Sequence, residues 1–207
     1  MTRLLTAAII TCFTCLLGVS SVNAQVGTLS TNFLGDTTGA TGFTELGTFG
    51  FDATFAAPGQ VVFFNNGSLY NGSNRAYGVG AGQSSTITFS QLASSVTFTG
   101  LDTSTQTTGG SPNGTVPANT TLTLADGSIT AFDAAGGSLG SFTIGQSGFT
   151  GTTFNGPISS LQISNAGAAG SFSLLGNISA TAVPEPSSAI LMTGLAGLFS
   201  LRRRRRG

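Results

Sequence analysis

Apolar residues alternate with small polar residues along much of the central chain, and this period-two pattern limits the fold more than any other feature. The alternation is clearest over residues 49–55, 86–89, 96–99, 121–124 and 172–179. Successive side chains of a β-strand point to opposite faces, so each stretch can bury one face and expose the other. Threonine fills many of the exposed positions, and its β-branched side chain favours a strand. The pattern predicts an all-β domain.

Turn residues separate the alternating stretches, and they predict eight to ten strands in a single antiparallel β-sandwich. The apolar run Val61–Phe64 indicates a strand buried on both faces. Asp126-Gly127 predicts a two-residue hairpin turn that joins consecutive antiparallel strands. Residues 92–96 are candidates for one short helical turn. Asp102–Asn119 is rich in glycine and proline and predicts a long loop.

The aromatic content predicts a packed core for residues 25–182. The chain has 16 phenylalanines, and only Phe13 and Phe199 lie outside this segment. Each ring can bury roughly 150–250 Å² of surface, which argues against a disordered segment. Cys12 and Cys15 both lie in the N-terminal apolar run, so we expect the domain to fold without a disulfide.

Residues 1–24 are typical of a secretory signal peptide. Arg3 precedes an uncharged apolar run over Leu4–Leu17, and Val22 and Ala24 are the small residues of a cleavage site. We therefore expect cleavage between Ala24 and Gln25. An uncleaved N-terminal anchor is the alternative, although the apolar run is short for a membrane span of about 20 residues.

The C-terminal segment, residues 183–207, has three parts in sequence. Val183, Pro184, Glu185 and Pro186 come first, and an apolar stretch follows over residues 187–201. This stretch would rise about 22 Å as a helix, a short transmembrane helix that flanking arginines can extend. Arginines favour the cytoplasmic side, so the bulk of the chain is expected outside. The arginine cluster consists of Arg202, Arg203, Arg204, Arg205 and Arg206.

The C-terminal segment resembles the PEP-CTERM sorting signal in its Pro-Glu-Pro motif, its apolar stretch and its terminal arginines. The resemblance covers only about the last 25 residues. It implies that the precursor is processed at the motif by an exosortase, a membrane transpeptidase found in bacteria that make extracellular polysaccharide. A plain single-pass anchor with a proline-rich stalk is the alternative.

Three central stretches, residues 86–89, 129–133 and 157–164, resemble jelly-roll sandwiches that occur ahead of such sorting signals. This similarity implies a jelly-roll-like shape related to lectins and carbohydrate-binding modules. It does not identify a ligand.

The residue inventory excludes most catalytic chemistry in residues 25–182. The chain has no histidine or lysine, and this segment also lacks cysteine, so a Ser or Cys nucleophile would have no His or Lys base. Arg75 is the only basic residue of the segment, which also contains six acidic residues. This negative net charge disfavours a nucleic-acid partner. We predict no enzymatic activity, no catalytic residue and no cofactor.

Two groups of residues are candidates for ligand binding. Tyr70, Arg75 and Tyr77 lie close in sequence and have side chains that suit sugar rings, although an ordinary loop would also contain them. Calcium needs only oxygen ligands, and the candidates are Asp102, Asp126 and Asp133. Aspartate also commonly caps turns, so we assign no metal site.

These observations predict an exported, non-enzymatic surface or extracellular-matrix protein associated with exopolysaccharide. The expected partners are the secretion machinery, the membrane before processing, an exosortase and extracellular polysaccharide. The protein is expected to be membrane-anchored until processing and then to lie at the cell surface or outside the cell. The alternative is a carbohydrate-binding module, assisted by calcium, with a pocket at the Tyr70–Tyr77 segment or the Asp102–Asn119 loop.

Overall fold

The structure is a computed structural model that describes residues 25–37, 39–63, 75–100, 105–107, 121–124, 127–144 and 152–184. Residues Val26–Val183 form one compact unit. The predicted signal peptide, the apolar stretch 187–201 and the arginine cluster lie outside the described residues. In the part of the chain that the structure describes, no helix has the length and apolar character needed to cross a membrane.

β-strands make up most of the described residues, which contain no α-helix, and this confirms the predicted all-β class. A single 3-10 turn occurs at Thr48–Gly50. The strands are β1 (Thr28–Thr31), β2 (Phe43–Glu45), β3 (Ala53–Phe55), β4 (Gln60–Phe63), β5 (Arg75–Gly80), β6 (Ser84–Gly100), β7 (Thr105–Thr107), β8 (Thr121–Leu124), β9 (Gly127–Phe132), β10 (Ser138–Ile144), β11 (Thr152–Asn165) and β12 (Ser171–Ala182).

Hydrogen bonds join all twelve strands into one sheet, whose main path runs β10-β9-β11-β6-β12-β5-β4. Strand β1 pairs with β12, β2 with β3 and β3 with β6. Strand β8 pairs with β7 and, in parallel, with β12, and every other pairing is antiparallel. The prediction of mainly antiparallel pairing is therefore confirmed.

Strand β6 is the longest and contains a bend. Its register against β11 shifts on both sides of the pair Ile158–Ala93. Ile87 and Phe89 are buried before the shift, and Val96 and Phe98 after it. Extra residues in one strand of a pair bend it and change the positions that face inward. The expected helical turn at residues 92–96 is wrong, because these residues continue the strand.

Inward-facing side chains from strands across the sheet meet in one hydrophobic core. Phe98 on β6 contacts Phe142 on β10, two strands beyond its neighbour, with ring centroids 6.4 Å apart. Phe55 on β3 likewise contacts Tyr77 on β5 at 4.9 Å. Such contacts between strands that are not paired require the sheet to curl around the core.

Several local predictions can be compared with the strands. Val61 and Val62 are both fully buried, which confirms for these two residues that β4 is covered on both faces, whereas Phe64 lies outside the described residues. The Asp126-Gly127 hairpin is wrong, because β8 pairs with β7 and β12 whereas β9 pairs with β10 and β11. The Asp102–Asn119 loop contains strand β7, and its remaining residues lie outside the described part of the chain.

Candidate functional site

The C-terminal strand ends where the Pro-Glu-Pro motif begins. The Val183 amide donates a hydrogen bond to the Leu92 carbonyl at 2.7 Å, and the Ala182 amide donates to the Gly27 carbonyl at 2.8 Å. The Ser94 hydroxyl also donates to the Thr181 carbonyl at 3.1 Å. Pro184 follows as an exposed residue. The chain is therefore held in the sheet up to Val183.

Large apolar side chains are exposed around this point, and we call them the exit corner. Their exposed fractions are Leu46 79%, Phe49 59%, Leu92 37% and Val183 36%. Hydrogen bonds from side chains to backbone carbonyls bring the segments of Phe49 and Leu92 together. The Gln91 side-chain amide donates to the Phe49 carbonyl at 3.4 Å, and the Ser90 hydroxyl donates to the Gly50 carbonyl at 2.8 Å. The exit corner thus lies beside the bend of β6, where residue 183 leaves the sheet.

Tyr77 lies in the core and not on a surface that a sugar could reach, because its side chain is 0% exposed. Its hydroxyl is 2.8 Å from the Ala56 carbonyl and 2.6 Å from the Ser85 hydroxyl. Burial raises the pKa of Tyr77, and the hydrogen bond with Ser85 only partly opposes that rise. Tyr77 therefore cannot form the expected binding platform. Tyr70 lies outside the described residues.

Four rings pack together here, and we call Phe33, Phe43, Phe55 and Tyr77 the Tyr77 cluster. Phe43 stacks on Phe55 at 4.8 Å, and Phe33 meets Phe55 edge-on at 5.5 Å. Gly59 is buried against the tyrosine ring, and a Cβ atom at that position would collide with the ring and its hydroxyl. The cluster is a packing feature of the core.

Arg75, Asp36 and Glu45 form a charged group that the sequence did not indicate. The Arg75 guanidinium donates to the Leu34 carbonyl, and the Thr31 hydroxyl donates to the Glu45 carboxylate at 3.0 Å. Burial, a hydrogen bond with Glu45 and the charge of Glu45 raise the pKa of Asp36 to about 7, although Arg75 acts in the opposite direction. Arg75 lies 30 positions after Glu45 in the chain, so no local motif could reveal this group.

Asp133 caps the turn between β9 and β10. Its Oδ1 accepts hydrogen bonds from the Ala135 amide at 2.9 Å and the Gly137 amide at 2.7 Å. The turn-capping interpretation is therefore confirmed for Asp133. Asp102 and Asp126 lie outside the described residues. Within the described ranges, no three His, Cys, Asp or Glu side chains are grouped as a metal site would require.

The C-terminal segment is similar to a known sorting motif. A model of the PEP-CTERM protein-sorting motif matches residues 182–206. The resemblance seen in the sequence is therefore confirmed: the chain carries a PEP-CTERM sorting motif, which implies an exported precursor that is membrane-anchored at its C-terminus and sorted by an exosortase. Glu185, Pro186 and the arginine cluster belong to the matched segment but lie outside the described residues.

Two further comparisons concern the rest of the chain. Among curated proteins, none matches it. One similar solved structure is a DUF4465 family protein from Bacteroides caccae, with 11% identity, coverage of 79% of this chain and 95% of that chain, and a TM-score of 0.32. A likeness at this TM-score supports no conclusion about the fold or the function.

Proposed function

We propose, from the premise that residues 182–206 carry a PEP-CTERM sorting motif, that this chain is a non-enzymatic surface or matrix protein. The precursor is exported, the apolar stretch 187–201 holds it in the membrane, and an exosortase cuts it near Val183-Pro184. Residues 25–182 then act outside the cell in association with extracellular polysaccharide. The order of a folded domain followed directly by the sorting motif carries this proposal.

The position of the motif relative to the sheet supports processing there. A transpeptidase needs an extended peptide that is not already paired in a sheet. Among the described residues, Ala182 and Val183 are the last whose amides bond within the domain, and Pro184 has no amide hydrogen to donate. Cutting after Val183 would release the domain without removing a sheet residue.

The described surface supports a role that does not depend on charge. Among the described residues, the charged side chains are Asp36, Glu45, Asp52, Arg75 and Asp133. Hydroxyl pairs join several strands on the outside, including Thr97–Thr153 at 2.9 Å and Thr44–Thr54 at 3.1 Å. Hydroxyl groups both donate and accept hydrogen bonds, so they suit neutral polysaccharide or a second protein surface.

We also propose an arrangement of the strands in two layers. We describe residues 25–182 as a single jelly-roll-like β-sandwich in which the bend of β6 connects two layers. Ring contacts between unpaired strands, such as Phe98 with Phe142, support two layers around one core. Such a fold offers broad neutral faces and needs no metal or disulfide for stability.

Mass measurement of the exported protein tests the routing. Cells that contain the sorting enzyme should yield a product that begins at Gln25 and ends near Val183. Glu185→Ala should leave the full C-terminal segment attached. Pro157→Ala is the matched control, because Pro157 is an exposed proline within β11, and its product should match the parent. An exported protein that retains Arg202–Arg206 in such cells would contradict the routing.

A glycan-array screen of the processed protein, with and without calcium, tests the action of the domain. Weak binding to many neutral glycans together with retention in the extracellular matrix is the expected result. Tight binding to one glycan would instead favour the alternative of a carbohydrate-binding module. Turnover of any polysaccharide would contradict a non-enzymatic role.

A further inference from the structure

We infer that the exit corner is a membrane-docking surface that rests on the lipid headgroup region while the precursor is anchored. This inference rests on the anchored precursor of the proposed function and adds a defined orientation to it. Leu46, Phe49, Leu92 and Val183 supply the apolar contacts. The occupant is the bilayer surface itself, and not a glycan or a second copy of the chain.

The chain length after the exit corner supports this occupant. Only Pro184, Glu185 and Pro186 separate Val183 from the apolar stretch 187–201. Four extended steps between Cα atoms span at most about 14 Å. The headgroup layer on each side of a bilayer is roughly 5–8 Å thick. An anchored stretch therefore keeps Val183 in or just above the headgroup layer.

Hydrogen bonds extend this restraint from Val183 to the other apolar residues. Val183 is bonded to the backbone of Leu92, next to Gln91, whose side chain bonds the Phe49 carbonyl. Leu46 precedes Gly47, whose amide donates to the Asp52 side chain at 3.0 Å. The Asp52 amide in turn donates to the Ser90 hydroxyl at 2.8 Å, so hydrogen bonds connect the segments of all four apolar side chains to the point of attachment.

The conformation of Phe49 is a second, independent observation. Its φ is 55°, in the left-handed region that bulky residues rarely adopt, and its side chain is 59% exposed. Phe33 has a similar φ of 59° but is 1% exposed, so burial of its ring offsets the strain. Phe49 has no comparable burial in the domain. Strained residues of this kind occur often at binding surfaces.

The charge distribution agrees with contact through apolar groups. Glu45 and Asp52 are the described charged residues next to the corner, and both are half-buried. The Glu45 carboxylate accepts a hydrogen bond from the Thr31 hydroxyl, and Asp52 Oδ1 accepts one from the Gly47 amide. Apolar side chains at a headgroup boundary bind by burying area and need no basic residues. The contact should therefore be insensitive to salt and should not require anionic lipid.

The test uses the full precursor in phosphatidylcholine vesicles with Cys12→Ala and Cys15→Ala, so that one new cysteine carries an environment-sensitive dye. Leu46→Cys reports on the exit corner. Ser84→Cys is the reference position, because Ser84 is exposed and lies eight residues before Leu92 on β6, a separation of at most about 26 Å. Lipid spin-labelled in the headgroup region should quench the Leu46 dye at least about threefold more than the Ser84 dye.

Variants then test the named side chains. Phe49→Asn with Leu92→Thr should reduce quenching at position 46 to the reference level, because both changes remove apolar area and suit the local backbone. Leu139→Thr is the matched control, since Leu139 lies on a strand and is 38% exposed, nearly the same as Leu92. That control should leave quenching unchanged. Vesicle flotation of every variant reports anchoring separately from docking.

Three outcomes would overturn the inference. Anchored protein with equal quenching at positions 46 and 84 would overturn the docking surface while leaving the routing intact. Failure of the parent chain to float with vesicles would contradict both the anchored precursor and the docking. Shielding of the Leu46 dye only after the sorting enzyme is added would assign the corner to a protein contact instead of lipid.

Discussion

The Tyr77 cluster and the exit corner use similar residues in opposite ways. Each contains a phenylalanine with positive φ, Phe33 in the cluster and Phe49 at the corner. The Phe33 ring packs 5.5 Å from Phe55 and 6.0 Å from Tyr77, whereas the Phe49 side chain is mostly exposed. Packing in the core therefore explains the positive φ of Phe33, whereas the fold of the domain does not explain that of Phe49.

The residues around the two regions also differ: they pack closely in the Tyr77 cluster and leave large side chains exposed at the exit corner. In the cluster, glycine at position 59 leaves room for the tyrosine ring, whose hydroxyl bonds Ala56 and Ser85. At the corner, backbone bonds fix the segments while the large side chains remain exposed. The cluster therefore stabilises the fold, and the corner presents a surface whose position is fixed by the fold.

The largest expected effect separates the two regions by stability. Phe55→Ala removes a fully buried ring that contacts three other aromatic side chains, so it should lower the free energy of unfolding by about 3–5 kcal/mol. Phe49→Ala should change it by less than about 1 kcal/mol. Guanidinium unfolding of both variants beside the parent measures the difference. Similar losses in the two variants would remove the distinction.

The next effect tests the polar part of the cluster. Tyr77→Phe removes a hydroxyl that bonds Ser85 and Ala56, and it should cost about 1–2 kcal/mol of unfolding free energy. The loss stays moderate because the Ser85 hydroxyl is within hydrogen-bond reach of the Ala56 carbonyl and can donate to it when the tyrosine hydroxyl is absent. A double-mutant cycle with Ser85→Ala should give a coupling energy above about 0.5 kcal/mol. Additive losses would show that the two hydroxyls act independently.

The charged group of Asp36, Glu45 and Arg75 predicts that the stability of the domain depends on pH. The pKa of Asp36 is raised to about 7 from 3.8, so the folded state keeps a proton that the unfolded state loses. Its contribution to stability is complete below pH 4 and falls as the pH rises to 7. Solvent screening of this partly exposed group reduces the expected loss to on the order of 1 kcal/mol.

Asp36→Asn checks this assignment, because asparagine cannot titrate. The difference in unfolding free energy between parent and variant should change between pH 4 and pH 7 and be constant above pH 8. Asp133→Asn is the matched control, since Asp133 caps an exposed turn away from Glu45 and Arg75. A pH-independent difference for Asp36→Asn would show that folding does not raise the pKa of Asp36.

The sequence predicted the parts of this molecule that depend on local pattern. Alternation identified the buried positions of Ile87, Phe89, Val96 and Phe98, because a strand exposes every second side chain to the core. The sorting motif was also readable, since its parts are contiguous. Phe172 was expected inside but is only half-buried, whereas the adjacent Leu174 and Leu175 are both buried.

The remaining features depend on contacts between distant segments. The Asp126-Gly127 turn had the composition of a hairpin, but β8 pairs with β12, some 50 residues further along the chain, a partner that no turn can specify. The sequence makes Tyr77 a candidate for a sugar-binding surface because it lies close to Tyr70 and Arg75. Its burial follows from Phe33, Phe43 and Phe55, which come from other strands and loops.

The smallest expected effect concerns the backbone of Phe49 itself. Asparagine tolerates the left-handed region better than phenylalanine, so Phe49→Asn should relieve strain at φ 55° without removing a core contact. The unfolding free energy should rise by about 0.5–1 kcal/mol, and thermal unfolding should show a higher midpoint. Phe33→Asn shares the backbone conformation but removes a buried ring, so it should destabilise the domain by several times that amount. The parent domain would then be less stable than the Phe49→Asn variant. A contact outside the domain would explain why the chain has phenylalanine at this position. A loss of stability in Phe49→Asn would instead show that its ring contributes to folding, and the contrast between the two regions would fail.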